Sequence, residues 1–484
     1  MSKRIFGITA AAVVALMPMQ PLLAQSTAAS SISAQDKAQG AEAHPQLLRE
    51  YGGAYTGPQA AYVRRVGQRI AVQSGLSNAQ SDFTVTLLNS PVDNAFAIPG
   101  GYVYVTRNLV ALMNDEAELA SVMGHEVGHV AARHSKARND RATGAGLLAG
   151  IIGAVAGNST LGTLIGKGVG LGAQLYTLGY SRGQETQADS LGVQYLVKAN
   201  YDPLASSTIL ASLAAQNSLD AKIGGKSSGT PTIFSTHPDP LGRVAKTTQE
   251  AKATGYTKGA RNRDAFLAAI DGMIYGDDPS QGIVDGQTFR HPGLRLAFTA
   301  PTGFTMSNGT DAVTIAGQGG QATFSGGAFA GDFDTYIRSV FKALSPNSNL
   351  EVGAARRFQV NGIDAASATV GATTQSGPVD VTVVAYATDA KTAYHFMLVT
   401  AQGSGVGPFQ SLVGSLRRLS ATEAAAVKAR RIKVVTVGRA DTVATLAARM
   451  AYPTMQVERF RVLNAIPADA TVRAGQKVKL VVIG

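Results

Sequence analysis

Gly124-His-Glu-Val-Gly-His129 is the stretch on which the reading of this chain turns. On a helix, residues four apart stand about 40° from each other round the axis, so His125 and His129 project from one face. Two neutral imidazoles placed this way can fill two corners of a tetrahedral zinc site. Glu126 stands beside them, where it can take a proton from an attacking water. Just upstream, Asp115 and Glu118 have the spacing of a capping box, and Leu119, Met123, Val127 and Val130 recur at helical intervals, so the spacing predicts a capped helix with an apolar stripe. His134, nine residues beyond His125, falls on the opposite face of that helix and reads as a solvated or capping histidine.

A catalytic zinc takes three protein ligands and keeps one position open. A third histidine six residues after His129 would complete one known pattern, but Ser135 is there. The better candidate is Ser181-Arg-Gly-Gln-Glu-Thr-Gln-Ala-Asp-Ser190. Ser181 and Gln184 make a second capping box, and Ala188, Leu191 and Tyr195 supply the apolar stripe of a second helix. Glu185 and Asp189, four apart, share one face of it. One carboxylate can bind metal while the other accepts the outer N–H of a ligating histidine and holds its tautomer.

These two motifs in this order resemble the gluzincin arrangement. The surrounding residues resemble the peptidase family that holds the CaaX prenyl proteases, HtpX and the periplasmic BepA/YfgC-type proteases. Asn94-Ala-Phe-Ala-Ile-Pro-Gly-Gly-Tyr-Val-Tyr-Val-Thr-Arg107 is similar to that family's strand before the zinc helix, and Thr236-His-Pro-Asp-Pro-Leu-Gly-Arg243 to its His-Pro…Arg element. The resemblance covers residues 45 to 255. It implies one zinc per chain on His125, His129 and Glu185, Glu126 as general base, and Asp189 orienting His125. Phe96 to Val105, with Phe96, Ala97, Ile98, Tyr102 and Val103 foremost, reads as an edge strand that holds an extended substrate by β-addition. His237 is expected either to occupy the open metal position as a latch or, with Arg243, to stabilise an oxyanion.

Composition sets the surroundings. The chain has 484 residues, room for two or three domains, and no cysteine, which excludes disulfides and thiolate metal sites. Met1 to Ala24 reads as a signal peptide, with Lys3 and Arg4 ahead of a short apolar run, and residues 25 to 44 as a flexible lead-in. This points to export to a bacterial periplasm. From Arg417 to Gly484 there are 13 Lys and Arg against 4 Asp and Glu, a basic terminus suited to cell wall or membrane surface rather than to nucleic acid. Gly144 to Gly157 is an apolar run shorter than the roughly 20 residues of a membrane span, so it reads as a buried or amphipathic hairpin and no stable transmembrane span is expected.

The fold expected is α+β and multidomain. A mainly helical metalloprotease domain with a small edge-strand sheet covers 45 to 275. After about Tyr275, β-like runs at Leu294 to Phe298, Ala312 to Ala316, Val379 to Tyr386 and Ala393 to Val399, with helices at Phe333 to Leu344 and Phe409 to Leu416, predict an antiparallel α+β domain over 285 to 420. It faintly resembles the PsbP/Mog1-like fold, and His291 and His395 in it read as structural. Residues 431 to 484 resemble a divergent LysM module, which implies a separable unit able to bind peptidoglycan. The motifs lead to a secreted zinc endopeptidase, and the resemblance to the peptidase family implies that it acts on unfolded or misassembled envelope and outer-membrane proteins. The alternative is a chaperone-like or wall-binding envelope protein whose protease is normally latent.

Overall fold

The computed structural model describes residues 31–134, 179–223, 232–344, 351–374 and 377–484. The signal-peptide stretch and the apolar run Gly144 to Gly157 lie outside the described residues. Among the described residues, no helix is long and apolar enough to cross a membrane.

The described residues open with helix α1 (Ala34–Glu50), within the stretch 25 to 44 expected to be a flexible lead-in. Ser33 caps its first turn by accepting from Asp36 N, and the alanines that make the segment look like a linker are also strong helix formers. Gly40 lies so close to Pro99 and Tyr102 that a Cβ there would clash with the Pro99 carbonyl, which docks the helix on the sheet. Leu47 and Tyr51 complete that contact against Phe96, Ile98 and Tyr104.

The sheet beneath α1 has three strands, β1 (Thr84–Leu88), β2 (Ala95–Ile98) and β3 (Tyr102–Thr106), in the order β1-β3-β2. β1 runs parallel to β3 and β2 antiparallel to it. The expected edge strand is therefore divided. Phe96, Ala97 and Ile98 lie on the edge strand β2, but Tyr102 and Val103 lie on the central strand, whose main-chain groups already pair on both sides. Helices α2 (Gln59–Ala71), α3 (Arg107–Leu112), α4 (Glu116–Ala131), α5 (Arg182–Lys198), α6 (Ala205–Ile223), α7 (Ile233–Thr236), α8 (Pro240–Ala253) and α9 (Arg263–Ile270) follow or flank this sheet. The core joins Val63 of α2, Val105 of β3, Met123 of α4, Leu196 of α5 and Phe266 of α9.

The middle of the chain is antiparallel. Seven strands lie in the order β11-β12-β13-β14-β10-β9-β8, from Arg356–Val360 (β11) through Ile363–Thr374 (β12), Gly377–Ala387 (β13), Thr392–Ala401 (β14), Gly320–Ala328 (β10) and Val313–Gly317 (β9) to Thr305–Asn308 (β8). Helix α10 (Phe333–Leu344) packs on one face through Ile337 and Phe341, against Val381, Val383 and Ala385 of β13. Val384 and Tyr386 of the same strand point the other way, to Leu412 and Val413 of helix α11 (Gln410–Ser415). Cover on both faces is why β13 reads as a continuous apolar run rather than an alternation.

The last residues form strand β16 (Arg430–Thr436), helices α13 (Val443–Ala447) and α14 (Gln456–Leu463) and strand β17 (Lys477–Ile483), after a short α12 (Ala421–Ala426). This βααβ unit is not separable in its packing. β16 also pairs with β4 (Ile274–Tyr275), so the segment that follows helix α9 contributes a strand to its sheet. Ile432, Leu446, Phe460 and Leu480, each at most 1 % exposed, belong to the same core cluster as Met123 and Phe266. Burying each such side chain contributes roughly 2 kcal/mol. The sequence boundary expected at 431 is thus not a boundary in packing.

Candidate metal centre

Helix α4 is locked at its start. Asp115 accepts from Glu118 N, but the Glu118 carboxylate returns to Asn114 N at 2.7 Å rather than to the cap residue itself. Arg261 ties Asp115 at 2.8 Å, and Tyr201 and Asn262 both donate to Glu116. Helix α5 carries a complete capping box of Ser181 and Gln184. The two helices meet through small residues. A Cβ on Gly128 would lie 3.1 Å from the Ala188 carbonyl, and one on Gly192 would lie 3.3 Å from His125 N. These glycines let the helix axes approach until Glu185 reaches between the two histidines.

The donor atoms of His125, His129, Glu185 and His237 all lie within 4.8 Å of one another. His125 Nε2 is 3.0 Å from His129 Nε2, and Glu185 Oε1 is 3.4 Å from His129 Nε2. Asp189 Oδ1 accepts from His125 Nδ1 at 2.9 Å, which leaves His125 Nε2 as the bare nitrogen. Glu126 is 1 % exposed, with Oε1 3.4 Å from His237 Nε2. Neither of these two buried atoms has a hydrogen-bond partner. Converging imidazole nitrogens, a buried carboxylate and orphaned polar atoms are the environment a divalent cation would satisfy, and the N, N, O donor set suits zinc.

His237 reaches the cluster because Asp239, at φ 58, caps α8 by accepting from Gly242 N, with Pro240 at the first helical position. That turn carries His237 inward, so its Nδ1 lies 2.9 Å from Glu185 Oε1 and 3.3 Å from His125 Nε2. Arg243, in the first turn of α8, places Nη1 2.6 Å from Glu185 Oε2, while Nη2 and Nε engage Asp189 at 2.5 and 2.7 Å. Its guanidinium thus clamps two carboxylates, an arrangement that differs from the expected oxyanion donor, because the planar fork is already spent on them.

Burial would raise the Glu185 carboxyl, but His237, His129 and His125 outweigh it and hold it far below the usual range. Asp189 is likewise held low, with burial overcome by the Arg243 and His125 hydrogen bonds. Burial lowers His129 strongly and keeps it neutral, as a ligand must be. In His237 the Glu126 and Glu185 charges overcome burial and raise it.

His134 is not the solvated histidine that helical spacing suggests. Helix α4 stops at Ala131, and Arg133 takes φ 53, so the chain reverses and brings His134 back beside His129. It is 4 % exposed. Helical periodicity holds only inside the helix, and the expectation extended it past the end. Tyr180 was also not singled out; its ring stacks on His129 at 3.7 Å between centroids. The only sequence signal for the close helix pair was the run of small residues at Gly124, Gly128, Ala188 and Gly192.

Residues 58–251, which hold every residue of this cluster, match the sequence model of Peptidase family M48. The beta-barrel assembly-enhancing protease of Escherichia coli O157:H7 is 32% identical over 218 residues, 43% of this chain and 42% of that one. Its counterpart from Yersinia pestis is 30% identical over 227 residues, 45% of each chain. The mitochondrial metalloendopeptidase OMA1 of Schizosaccharomyces pombe is 29% identical over 222 residues, 44% of this chain and 59% of that one. The chain thus spans less than half the length of the first two relatives and under two thirds of the third.

Proposed function

We propose that the protein is a zinc-dependent endopeptidase acting in the bacterial envelope on unfolded or misassembled proteins, a reading supported by the match of residues 58–251 to peptidase family M48. The observation that carries this reading is the convergence of His125, His129 and Glu185, with Glu126 buried beside them. A zinc ion held there would acidify water and polarise a peptide carbonyl. Glu126 would accept the proton of the attacking water and pass it to the leaving amine. Asp189 holds His125 in the tautomer that presents Nε2, and Arg243 holds Glu185 and Asp189 in place. Ala95 to Ile98, on the edge of its sheet, offers an extended segment for a substrate strand.

Relatives named beta-barrel assembly-enhancing protease support outer-membrane proteins as the substrate class. The basic βααβ unit, with its LysM-like residue pattern, supports contact with peptidoglycan. His237, a fourth donor in the cluster, supports a resting state in which it occupies the position that water would need.

The test is proteolysis of a denatured protein by the full chain, with and without chelator, against Glu126→Gln. The variant should keep its fold and metal and lose about a hundredfold or more of its rate, because an amide cannot accept the proton. Cleavage at the wild-type rate would overturn the reading.

A further inference from the structure

Two of the three ligands have an obvious outer partner: Asp189 for His125 and Arg243 for Glu185. His129 has neither. Its Nδ1 instead lies 2.9 Å from Nδ1 of His134, a residue outside the metal cluster, and His134 Nε2 lies 3.0 Å from Gln187 Oε1. Two ring nitrogens at that distance can share one proton and no more. A carbonyl oxygen opposite His134 Nε2 only accepts, so the proton of neutral His134 sits on Nε2 and its Nδ1 is a lone pair. The proton between the rings therefore belongs to His129 Nδ1, and His129 Nε2 is left bare toward His125 and Glu185. Gln184 Nε2 donates to the His134 carbonyl at 3.5 Å, which anchors the residue to the same helix.

We propose that His134, fixed by Gln187, is the positioning residue for His129, doing for that ligand what Asp189 does for His125. Helix α5 then governs all three ligands, supplying Glu185 directly, His125 through Asp189, and His129 through Gln187 and His134. The inference rests on the metal-centre reading above for its consequence but not for its geometry.

The test is zinc release from the loaded full chain to a competing chelator, compared among wild type, His134→Phe and Gln187→Ala. Phenylalanine keeps the ring volume and removes the acceptor. Both variants should lose zinc about 10 to 100 times faster than wild type. Histidine ¹⁵N spectra of the metal-free chain should place the His129 proton on Nδ1 in wild type and show a mixture of Nδ1-H and Nε2-H forms in both variants, a change that loss of packing alone would not produce. If His134→Phe does not fold, Gln187→Ala carries the comparison. Zinc release within twofold of wild type in the folded variants would overturn the proposal. Failure of the wild type to take up zinc would instead sink the metal-centre reading, and the His129 tautomer in the metal-free chain would still decide the role of His134.

Discussion

Lys479, on the last strand, donates its Nζ to the carbonyl of Ala111 at 2.7 Å, across the junction between the C-terminal unit and the protease segment. It also reaches the carbonyls of Leu112 and Met113, so one fully buried side chain closes the end of α3 just before helix α4 begins. Burial drives its pKa well below the usual lysine value, with Glu118 and Asp115 opposing. Lys479→Met should destabilise the full chain by about 2–3 kcal/mol, since it orphans three carbonyls. A chain ending at Ala429 should lose part of its near-ultraviolet circular dichroism and melt at a lower temperature, because it uncovers the shared core while the antiparallel domain keeps its own cores. A well-folded truncation would show the unit to be separable after all.

His237→Ala should raise basal cleavage of an unfolded substrate, since it removes the imidazole that lies among the ligands and beside Glu126. A fall of about a hundredfold would instead assign it an oxyanion role.

Arg243→Gln should weaken zinc retention as well as activity, because Glu185 and Asp189 lose their common clamp. Removing one partner of a buried ion pair costs about 3–5 kcal/mol, so the melting temperature should fall with it. A variant that keeps zinc and stability yet loses its rate would restore the oxyanion role. Metal content and a melting curve on one preparation separate the two.

Gly192→Val should abolish zinc binding, since even a single Cβ there would stand 3.3 Å from His125 N and two further methyls would drive α5 away from α4. Gly183→Ala on the same helix is the control. A Cβ at Gly183 meets nothing within 4 Å, so zinc binding should be unchanged and stability should rise by about 0.5–1 kcal/mol.

In the antiparallel domain, burial lowers His395 to about 4, and its ring nitrogens meet Tyr336 and Ser325. The folded state then binds fewer protons than the unfolded state between about pH 4 and the unfolded value of 6.5. Stability should therefore fall as the pH drops through that window, by about 3 kcal/mol in all. Urea midpoints of His395→Gln should vary less with pH; an equal slope would exclude His395 as the source.

Much of this protein is legible before any coordinates. The i, i+4 spacing of His125 with His129 and of Glu185 with Asp189 is a property of one helix at a time, and so are the capping residues Asp115 and Ser181. Alternation and apolar runs likewise mark β9, β13 and β14, because strand period and two-sided burial are local. What only the tertiary structure decided depends on contacts between distant segments. The close approach of Gly128 to Ala188 is one such contact, and the chain reversal at Arg133 that makes His134 a partner of His129 is another. The engagement of Arg243 with two carboxylates and the burial of Lys479 against α3 complete the set. Each is a contact between segments 50 or more residues apart, or one made where a helix ends, and periodicity carries no information about either.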